Sequence, residues 1–439
     1  MTFARPSPSP DDVFVVRGGG VLQGRIQVAG AKNSALKLMA ASLLAEGETV
    51  VENVPTIADV PVMAELLDGL GCTVDLRIVE EPATPDAPSK PSCAVTIRVG
   101  EPTPDAPAEH VRRIRASTAV LGPLVGRLGH ARFAFPGGDA IGARRIDMHL
   151  AGLVAMGAEI VEHGEELEVR ADKLRGAHIT LDFPSVGATE NLLMAATLAE
   201  GRTVIDNAAH EPEIQDLCAM LGEMGARIEG VGTSMLRIEG VERLRPVAHE
   251  TVPDRIEAGT FAFAAALTGG DVTIHSARPE HLKLPLTKLA AVGATVDEID
   301  VGLRVKASEL HAVDVVTLPY PGFPTDLQPQ LMVLLTQARG TSIVTENVFE
   351  SRFGFVDELR KFGADVEIEG HHAVIRGPRA LRGAGVRARD VRAGAACLLA
   401  GLVADGETTV TEIHHVDRGY AGIVDRLRAI GADIERRPA

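Results

Sequence analysis

The stretch PGGDAIGARRIDMH, residues 136–149, places one carboxylate, Asp139, between a glycine pair and an arginine pair. Glycine and aspartate are common in turns and arginine is usually a solvated surface group, so a plain surface turn is one interpretation. An anion site is the other, because arginine suits bidentate binding of phosphate and carboxylate. The composition of this stretch alone does not separate the two.

Cations recur at predicted helix N-termini elsewhere in the chain. Exposed amides and the helix dipole, equivalent to about half a charge, favour anions at such ends. A solvated or capping role is the alternative for any single one of these side chains. If they converge on a chain with a net charge of −16, they predict a site for a small polyanion such as phosphate, diphosphate or carboxylate. The six cations are Lys32, Arg115, Arg144, Arg352, Arg392 and Arg418.

Two carboxylates stand among these cations. Asp326, in FPTDLQPQ, opens a predicted helix after a proline, and Asp139 lies in the glycine loop. Neighbouring arginines favour the ionised form of a carboxylate, which suits a general base better than a general acid. Asp326 could also be a helix N-cap, and the two roles are compatible.

The elements that position these residues belong to an internal repeat. Each copy has an apolar helix period, a glycine stop and a short strand, as in LCAMLGEMGARIEG. Two interleaved glycine series predict six units of about 70 residues, each with the order helix, strand, helix, strand. Chance similarity is the alternative, since Gly-Ala endings are common in α/β proteins. The first series is Gly71, Gly157, Gly225, Gly293, Gly363 and Gly431, and the second is Gly47, Gly129, Gly201, Gly270, Gly340 and Gly406.

Composition excludes several classes of protein. The 439 residues are 45% hydrophobic, which is enough for a large core, and length alone suggests about three domains. No apolar run reaches membrane-spanning length, and the N-terminal segment lacks the apolar region of a signal peptide. The four cysteines are too widely spaced to indicate a disulfide framework or a zinc site, so a reduced, cytoplasmic protein is expected. Acidic charge and 3% aromatic content argue against nucleic-acid binding.

Eight motifs spread over residues 16–437 resemble those of the UDP-N-acetylglucosamine 1-carboxyvinyltransferases, a family of enolpyruvyl transferases. The resemblance implies an α/β protein built as a two-domain inside-out α/β barrel, with three units per domain and a substrate cleft between the domains. It also implies that the chain crosses between domains twice, near Lys32 and near Pro253. The motifs are GAKNSAL, RASTAVLGPLVGR, PGGDAIGARRIDMH, SVGATENLLMAA, NAAHEPEI, GFPTDLQPQ, ENVFESRFGF and HHVDRGYAG.

These crossings predict a discontinuous first domain, residues 1–32 plus 254–439, and a second domain, residues 33–253, that carries the Asp139 loop. The proline-rich residues 79–96 make the first repeat longer than the others and are expected to form an inert loop insertion.

The resemblance further implies transfer of the enolpyruvyl group of phosphoenolpyruvate to the 3-hydroxyl of UDP-N-acetylglucosamine with release of phosphate, the first committed step of peptidoglycan synthesis. Asp326 resembles the base that accepts the hydroxyl proton. No metal, cofactor or obligate protein partner is implied, because fixed cations stabilise the charge. The implied phosphoenolpyruvate and phosphate contacts are Lys32, Asn33, Arg144, Arg352, Arg392 and Arg418, and the implied UDP-sugar contacts are Arg115, Asp147, Ser185, Val186, Gly187 and Val348.

The sequence departs from the family pattern at three positions. Most members carry cysteine where Asp139 stands, and that thiol is the proton donor and the group that fosfomycin alkylates. We expect Asp139 to hold a proton mainly in the ternary complex, and we expect the chain to be insensitive to fosfomycin. Proline is frequent where Arg145 stands and lysine where Phe183 stands, so Arg145 is expected to restore a cation near the diphosphate.

Three rival interpretations remain at the level of sequence. The related transferase that acts on shikimate 3-phosphate shares the fold and the donor, but the glycine loop and the FPTD helix start favour the UDP-sugar enzyme. An inactive paralogue that binds a UDP-sugar is a second interpretation, and the intact candidate residues argue against it. A structural repeat scaffold is the third, and it predicts no closure on substrate.

Overall fold

The computed structural model describes residues 11–81, 88–139, 141–142, 145–307 and 309–438. In these residues the first strands are β1 (Val13–Arg17), β2 (Gln23–Gln27), β3 (Gly47–Pro55), β4 (Thr73–Glu81), β5 (Lys90–Val99), β6 (His130–Ala134), β7 (Glu159–His163), β8 (Glu166–Arg170), β9 (His178–Thr180), β10 (Arg202–Asp206), β11 (Arg227–Glu229), β12 (Met235–Glu239) and β13 (Ala248–Glu250). They are followed by β14 (Asp271–His275), β15 (Ala294–Ile299), β16 (Gly302–Ala307), β17 (Val315–Val316), β18 (Gly340–Thr345), β19 (Asp365–Glu369), β20 (His372–Gly377), β21 (Gly385–Arg387), β22 (Glu407–Thr411) and β23 (Asp433–Arg437).

The helices alternate with these strands. They are α1 (Lys32–Ala41), α2 (Asp59–Gly69), α3 (Ala108–Val111), α4 (Leu121–Leu128), α5 (Asp147–Ala155), α6 (Val186–Ala196), α7 (Pro212–Met224), α8 (Arg255–Leu267), α9 (Lys283–Val292), α10 (Gln328–Thr336), α11 (Val356–Lys361), α12 (Val391–Val403), α13 (His414–Asp417) and α14 (Ile423–Ala429). Short 3₁₀ helices are Ser42–Leu44, Arg115–Val120, Pro279–His281, Thr325–Leu327 and Arg352–Phe355. Within the described ranges, no helix is both long and apolar enough to span a membrane.

Buried hydrophobic side chains form two separate cores. One combines residues 14–28 with residues 256–434, and the other covers residues 35–244 together with Ala421. In each core, helices lie inside and sheets form the outer layer. Helices α8, α10 and α12 pack together in the first core, and α1, α6 and the continuous run of Arg115–Val120 into α4 pack together in the second. The chain is therefore a two-domain inside-out α/β barrel, as the family resemblance implied.

The inner helices explain the long apolar runs in the sequence. Residues 256–267 of α8 and residues 391–402 of α12 are buried throughout. A helix surrounded by other elements has no face that must meet water, so its sequence is largely apolar on every side.

Six sheets cover these helices, five of four strands and, in the described part of the chain, one of three. In each four-stranded sheet, a short edge strand runs parallel to its neighbour and the other pairs are antiparallel. A typical unit is α6, β10, α7, β11 and β12. The observed order is therefore helix, strand, helix, strand, strand. The prediction omitted the last strand, which forms a hairpin with the strand before it. The N-terminal β1 pairs with β22 and β23 and completes the sixth sheet.

The short parallel strands show where the chain changes core. Strand β2 pairs with β14 but leads into α1, and β13 pairs with β3 but leads into α8. The two crossing segments bond to each other: Ala31 N donates to Val252 O at 2.7 Å, and Asp254 N donates to Ala29 O at 2.9 Å. On this basis we propose the domain boundaries. They are residues 1–32 plus 254–439 for the first domain and residues 33–253 for the second.

The expectation of a loop over residues 79–96 is wrong for most of that segment. Strand β4 continues to Glu81 and β5 begins at Lys90, and these two residues pair in register. Residues 82–87 of the expected loop lie outside the described residues. Apolar alternation overrides the prolines here, because Cys93, Val95 and Ile97 are buried on one face of β5.

The predicted glycine stops are confirmed. All six members of the first series follow a helix and have positive φ, between 89° and 114°. Residues other than glycine adopt this conformation at a steric cost. In the second series Gly270 is an exception, because Gly269 has the positive φ of 64°.

Candidate active site

A cleft of about 570 Å³ is lined by residues of both domains. It brings together every described member of the predicted site. Arg144 lies outside the described residues. The lining includes Lys32, Asn33, Arg115, Asp139, Arg145, Asp147, Ser185, Val186, Gly187, Asp326, Val348, Arg352, Arg392 and Arg418.

Lys32 begins α1 at the first domain crossing. Its Nζ lies 2.9 Å from Oδ2 of Asp59, the first residue of α2, and Arg418 Nε donates to the other Asp59 oxygen at 2.8 Å. Burial lowers the pKa of Lys32; Asp59 raises it, and Arg418 and Arg392 lower it, with a net downward shift. Two cations thus share one buried counterion, and an anion entering the cleft meets both.

Asp139 faces the same arginine from the other domain. Arg418 Nη1 donates to Asp139 Oδ1 at 2.6 Å, and His415 Nδ1 lies 3.7 Å from that oxygen. In the structure the Asp139 carboxylate thus accepts from Arg418, which the family resemblance implies as a contact of the donor substrate. An incoming anion competes with Asp139 for this guanidinium.

Asp326 lies in the 3₁₀ helix Thr325–Leu327, and its side chain does not cap that helix. It accepts from Arg352 Nη2 at 2.5 Å and from Arg392 Nη2 at 3.0 Å. Burial opposes ionisation, but Arg392 and Arg352 hold the pKa of Asp326 well below its usual range. The carboxylate is ionised, and the same arginines make it a weak base until they engage another anion.

The two arginines are held in place by their own neighbours. The Asp390 side chain caps α12, accepting from the backbone N–H of Arg392 at 2.8 Å. The Arg392 guanidinium lies 5.3 Å from the centre of the Tyr420 ring. The Arg352 side chain is almost fully buried, and its Nη1 lies 3.8 Å from Asp390. Burial and fixed partners limit the rotamer freedom that ligand binding would otherwise remove.

The N-terminus of α6 also lines the cleft. Ser185 Oγ accepts from Ala188 N at 3.3 Å, and the amides of Val186 and Gly187 belong to the first turn. An eleven-residue helix whose first turn faces a cleft favours an anion there. Arg115 donates to the carbonyl of Arg145 at 3.4 Å, which links two further cleft residues.

Asp147 and Val348 also line the cleft. Asp147 begins α5, and its Oδ1 accepts from Met148 N at 3.0 Å. Val348 N donates to Glu346 Oε1 at 2.8 Å, which fixes the turn that carries Val348. Both residues therefore have backbone positions set by local hydrogen bonds.

Sequence reasoning missed several residues that line the cleft. Asp59 could have been found, because it is the first residue of α2, just as Asp147, which lies in a quoted motif, is the first residue of α5. His149 lies in a quoted motif, and burial and Arg115 lower its pKa to about 4. Its Nδ1 lies 3.0 Å from Asn191 Nδ2, so the neutral ring accepts at Nδ1. The partnership of Lys37 with Glu190 has no local signal in the sequence.

A two-domain inside-out α/β barrel with a cleft lined by charged residues between its domains is the architecture of the enolpyruvyl transferases. The family model described as EPSP synthase (3-phosphoshikimate 1-carboxyvinyltransferase) matches residues 16–427. The enolpyruvyl transferase NikO from Streptomyces tendae superposes with a TM-score of 0.84 at 26% identity, covering 98% of this chain and 99% of that one.

Two relatives narrow the assignment. The UDP-N-acetylglucosamine 1-carboxyvinyltransferase of Corynebacterium jeikeium is 55% identical over 97% of this chain and 99% of its own length. The protein of the same name from Mycobacterium tuberculosis is 54% identical over 96% of this chain and 98% of its own length. The chain therefore belongs to the enolpyruvyl transferase family and, within it, to the UDP-N-acetylglucosamine 1-carboxyvinyltransferases.

Proposed function

We propose that the chain transfers the enolpyruvyl group of phosphoenolpyruvate to the 3-hydroxyl of UDP-N-acetylglucosamine. The methylene carbon of phosphoenolpyruvate takes up a proton, and the sugar oxygen bonds to the adjacent carbon as it loses its own proton. The tetrahedral intermediate then loses phosphate and a proton from the new methyl group. In a bacterial cell this reaction begins peptidoglycan synthesis in the cytoplasm.

One observation carries this proposal: Lys32 and Arg418 share Asp59 in the same cleft in which Arg352 and Arg392 hold Asp326. Charge that develops on the phosphate and carboxylate of the donor meets preorganised cations there, the condition for electrostatic stabilisation. Arg144, which lies outside the described residues, and Asn33 complete the proposed donor site.

Asp326 is the proposed general base for the sugar hydroxyl. When the donor anions take up Arg352 and Arg392, the force that lowers the basicity of Asp326 weakens. The base then becomes competent only once the donor is bound, which favours ordered chemistry over loss of the donor to water.

Asp139 is the proposed proton donor to the methylene carbon. In the structure it accepts a hydrogen bond from Arg418, and this contact favours the ionised carboxylate over the protonated form that a proton donor requires. Donor binding withdraws Arg418 and adds negative charge nearby, and both changes favour the protonated carboxyl. We propose in addition that fosfomycin does not inactivate this chain, because a carboxylate is a poorer nucleophile than a thiolate.

The UDP-sugar is proposed to lie along Arg115, Asp147, Val348 and the first turn of α6, with its diphosphate at the turn formed by residues 185–187. Arg145 is proposed to add a cation at this end. Loss of UDP-sugar affinity in Arg145→Ala would support that contribution, and unchanged affinity would discard it.

An acceptor competition tests the proposal. The chain is incubated with phosphoenolpyruvate and equal concentrations of UDP-N-acetylglucosamine and shikimate 3-phosphate, and the products are identified by mass spectrometry. We expect the enolpyruvyl ether of the nucleotide sugar. The shikimate ether would assign the other transferase activity, and no product from either acceptor would favour an inactive paralogue or a scaffold.

A further inference from the structure

Two charged side chains in the cleft wall have no part in the chemistry above. Lys37 Nζ lies 3.0 Å from Glu190 Oε2 and donates to Glu190 Oε1 at 3.3 Å. The Lys37 side chain is 14% exposed and that of Glu190 is 1% exposed, and both line the cleft. A buried ion pair generally costs as much in desolvation as it gains, so its presence in a binding cleft calls for a role beyond stability.

The pair joins α1 and α6, the two helices whose N-termini line the two proposed substrate sites. Lys37 also donates to the carbonyl of Asn33 at 3.1 Å, in the first turn of α1. Glu190 lies in α6, one turn after Gly187. The ammonium of Lys37 therefore contacts the helix whose first turn forms the proposed diphosphate site, and Glu190 is the carboxylate that balances its charge.

Burial is the largest influence on that carboxylate, and it raises the pKa of Glu190 to about 7 in spite of Lys37. Glu213 and Glu211, at the start of α7, raise it further. From α4, the closest approach to α6 is made by Gly122 and Gly126, which carry no charge. Further charged or titratable groups on this side of the cleft are Arg115, Arg145 and, on α5, Asp147 and His149.

We propose that Lys37 and Glu190 belong to the UDP-sugar site, and that Glu190 takes up one proton from solvent when the nucleotide sugar binds. An O–H bond forms on the carboxylate, Lys37 keeps its charge, and the ammonium then faces the diphosphate instead of Glu190. The cause is mutual repulsion, because a diphosphate near α6 makes a second buried anion there unfavourable. The inference rests on the proposed function.

Calorimetric titration with UDP-N-acetylglucosamine alone measures this uptake. At pH 8, in two buffers of different ionisation enthalpy, the difference in apparent binding enthalpy gives the number of protons bound. We expect the wild type to take up roughly 0.4 to 0.8 proton, because Glu190, with a pKa of about 7, is mostly ionised before binding and the diphosphate raises that pKa. The diphosphate diester itself is fully ionised at this pH.

Two variants and a control identify the group. Glu190→Gln should bind the nucleotide sugar without proton uptake. Lys37→Met should also lose the uptake, since a buried Glu190 without its counterion is already protonated, and should bind about tenfold to a hundredfold more weakly. The control is Glu168→Gln, which changes a carboxylate on β8 outside the cleft lining. It should show the same proton uptake as the wild type.

The outcomes separate this inference from the proposed function. Equal proton uptake in the wild type and Glu190→Gln, or no uptake in the wild type, with the nucleotide sugar bound, overturns the inference and leaves the function standing. If Glu190→Gln does not fold, Lys37→Met decides by the same criterion. Failure of the wild type to bind the nucleotide sugar overturns both.

Discussion

At the scale of single residues, the contacts that Asp326 makes in the structure reduce its basicity, whereas its proposed role requires a competent base. Arg352 and Arg392 keep it ionised, and the same contacts reduce its basicity. We expect Asp326→Asn to lower kcat by about 10²- to 10⁴-fold, the usual contribution of a general base, while the KM for the donor changes less. Steady-state kinetics with both substrates measure this change.

Asp271→Asn is the matched control for Asp326→Asn. Asp271 also binds an arginine, Arg304, through two hydrogen bonds, but on the exposed side of β14. The Asp271→Asn variant should leave kcat unchanged. Equal losses in the two variants would indicate that the Asp326 effect is structural.

The second prediction at the scale of single residues concerns Asp139 and the response of the protein to fosfomycin. The four cysteines do not line the cleft, and burial raises the pKa of Cys93, Cys218 and Cys397 to about 12, so none is a ready nucleophile. We expect no time-dependent loss of activity with fosfomycin in the wild type. Asp139→Cys should keep activity and become sensitive, with one inhibitor adduct on the protein by mass spectrometry. An adduct on the wild-type chain would refute the prediction.

At the scale of elements, local patterns explain what the sequence could predict. Helix periods and glycine stops are encoded within a few residues, so the six units and the helix ends that face the cleft could be read from them. Contacts between distant segments have no such signal. The exchange of β2 and β13 between sheets, the closure of the sixth sheet by β1 and the pairing of Lys37 with Glu190 depend on tertiary packing, which overrides local preference.

The crossing segment supplies a test of element packing. A Cβ added at Gly30 would lie 1.7 Å from the carbonyl oxygen of Asn53, a backbone atom that cannot move aside easily. We expect Gly30→Ala to destabilise the protein by about 1–3 kcal/mol or more, as overpacking does. Thermal unfolding measures the change.

Gly222→Ala is the matched control for the crossing. An added Cβ at Gly222, inside α7, meets no described atom within 4 Å. Alanine in a helix should stabilise the protein by about 0.5–1 kcal/mol. A Gly30→Ala protein as stable as the wild type would show that the crossing is not closely packed.

The contribution of His249, in strand β13, to the stability of the protein should depend on pH. His249 Nε2 lies 3.0 Å from Asp216 Oδ1 and its Nδ1 lies 2.9 Å from Glu223 Oε2. Burial lowers the pKa of His249, but the hydrogen bonds with the two carboxylates outweigh burial and raise it. The stability that this histidine adds is present in full below the unfolded pKa of about 6.5 and is lost as pH rises through the folded pKa.

We therefore expect the difference in Tm between the wild type and His249→Gln to be larger at pH 6 than at pH 9. At pH 6 it should correspond to on the order of 1 kcal/mol, the size of a partly buried charged hydrogen bond. Thermal unfolding at the two pH values measures it. The same difference at both values would mean that His249 contributes packing only.

At the scale of the whole molecule, the two domains share their charges across the cleft. Arg418 of the first domain is held by Asp59 and Asp139 of the second, on a chain with a net charge of −16. Negative charge of this size repels anionic substrates at long range, so binding depends on cations that become available inside the cleft. In the proposed reaction phosphate leaves only after the sugar hydroxyl has added to the donor, so donor and acceptor should be required together for turnover.

Phosphate release tests this requirement most directly. With phosphoenolpyruvate and UDP-N-acetylglucosamine both present, we expect continuous release of phosphate, and none when the nucleotide sugar is omitted. Lys32→Met, which removes one of the two cations that share Asp59, should reduce kcat/KM for phosphoenolpyruvate by about 10²-fold or more. Release without the nucleotide sugar, or an unchanged kcat/KM in Lys32→Met, would contradict the account.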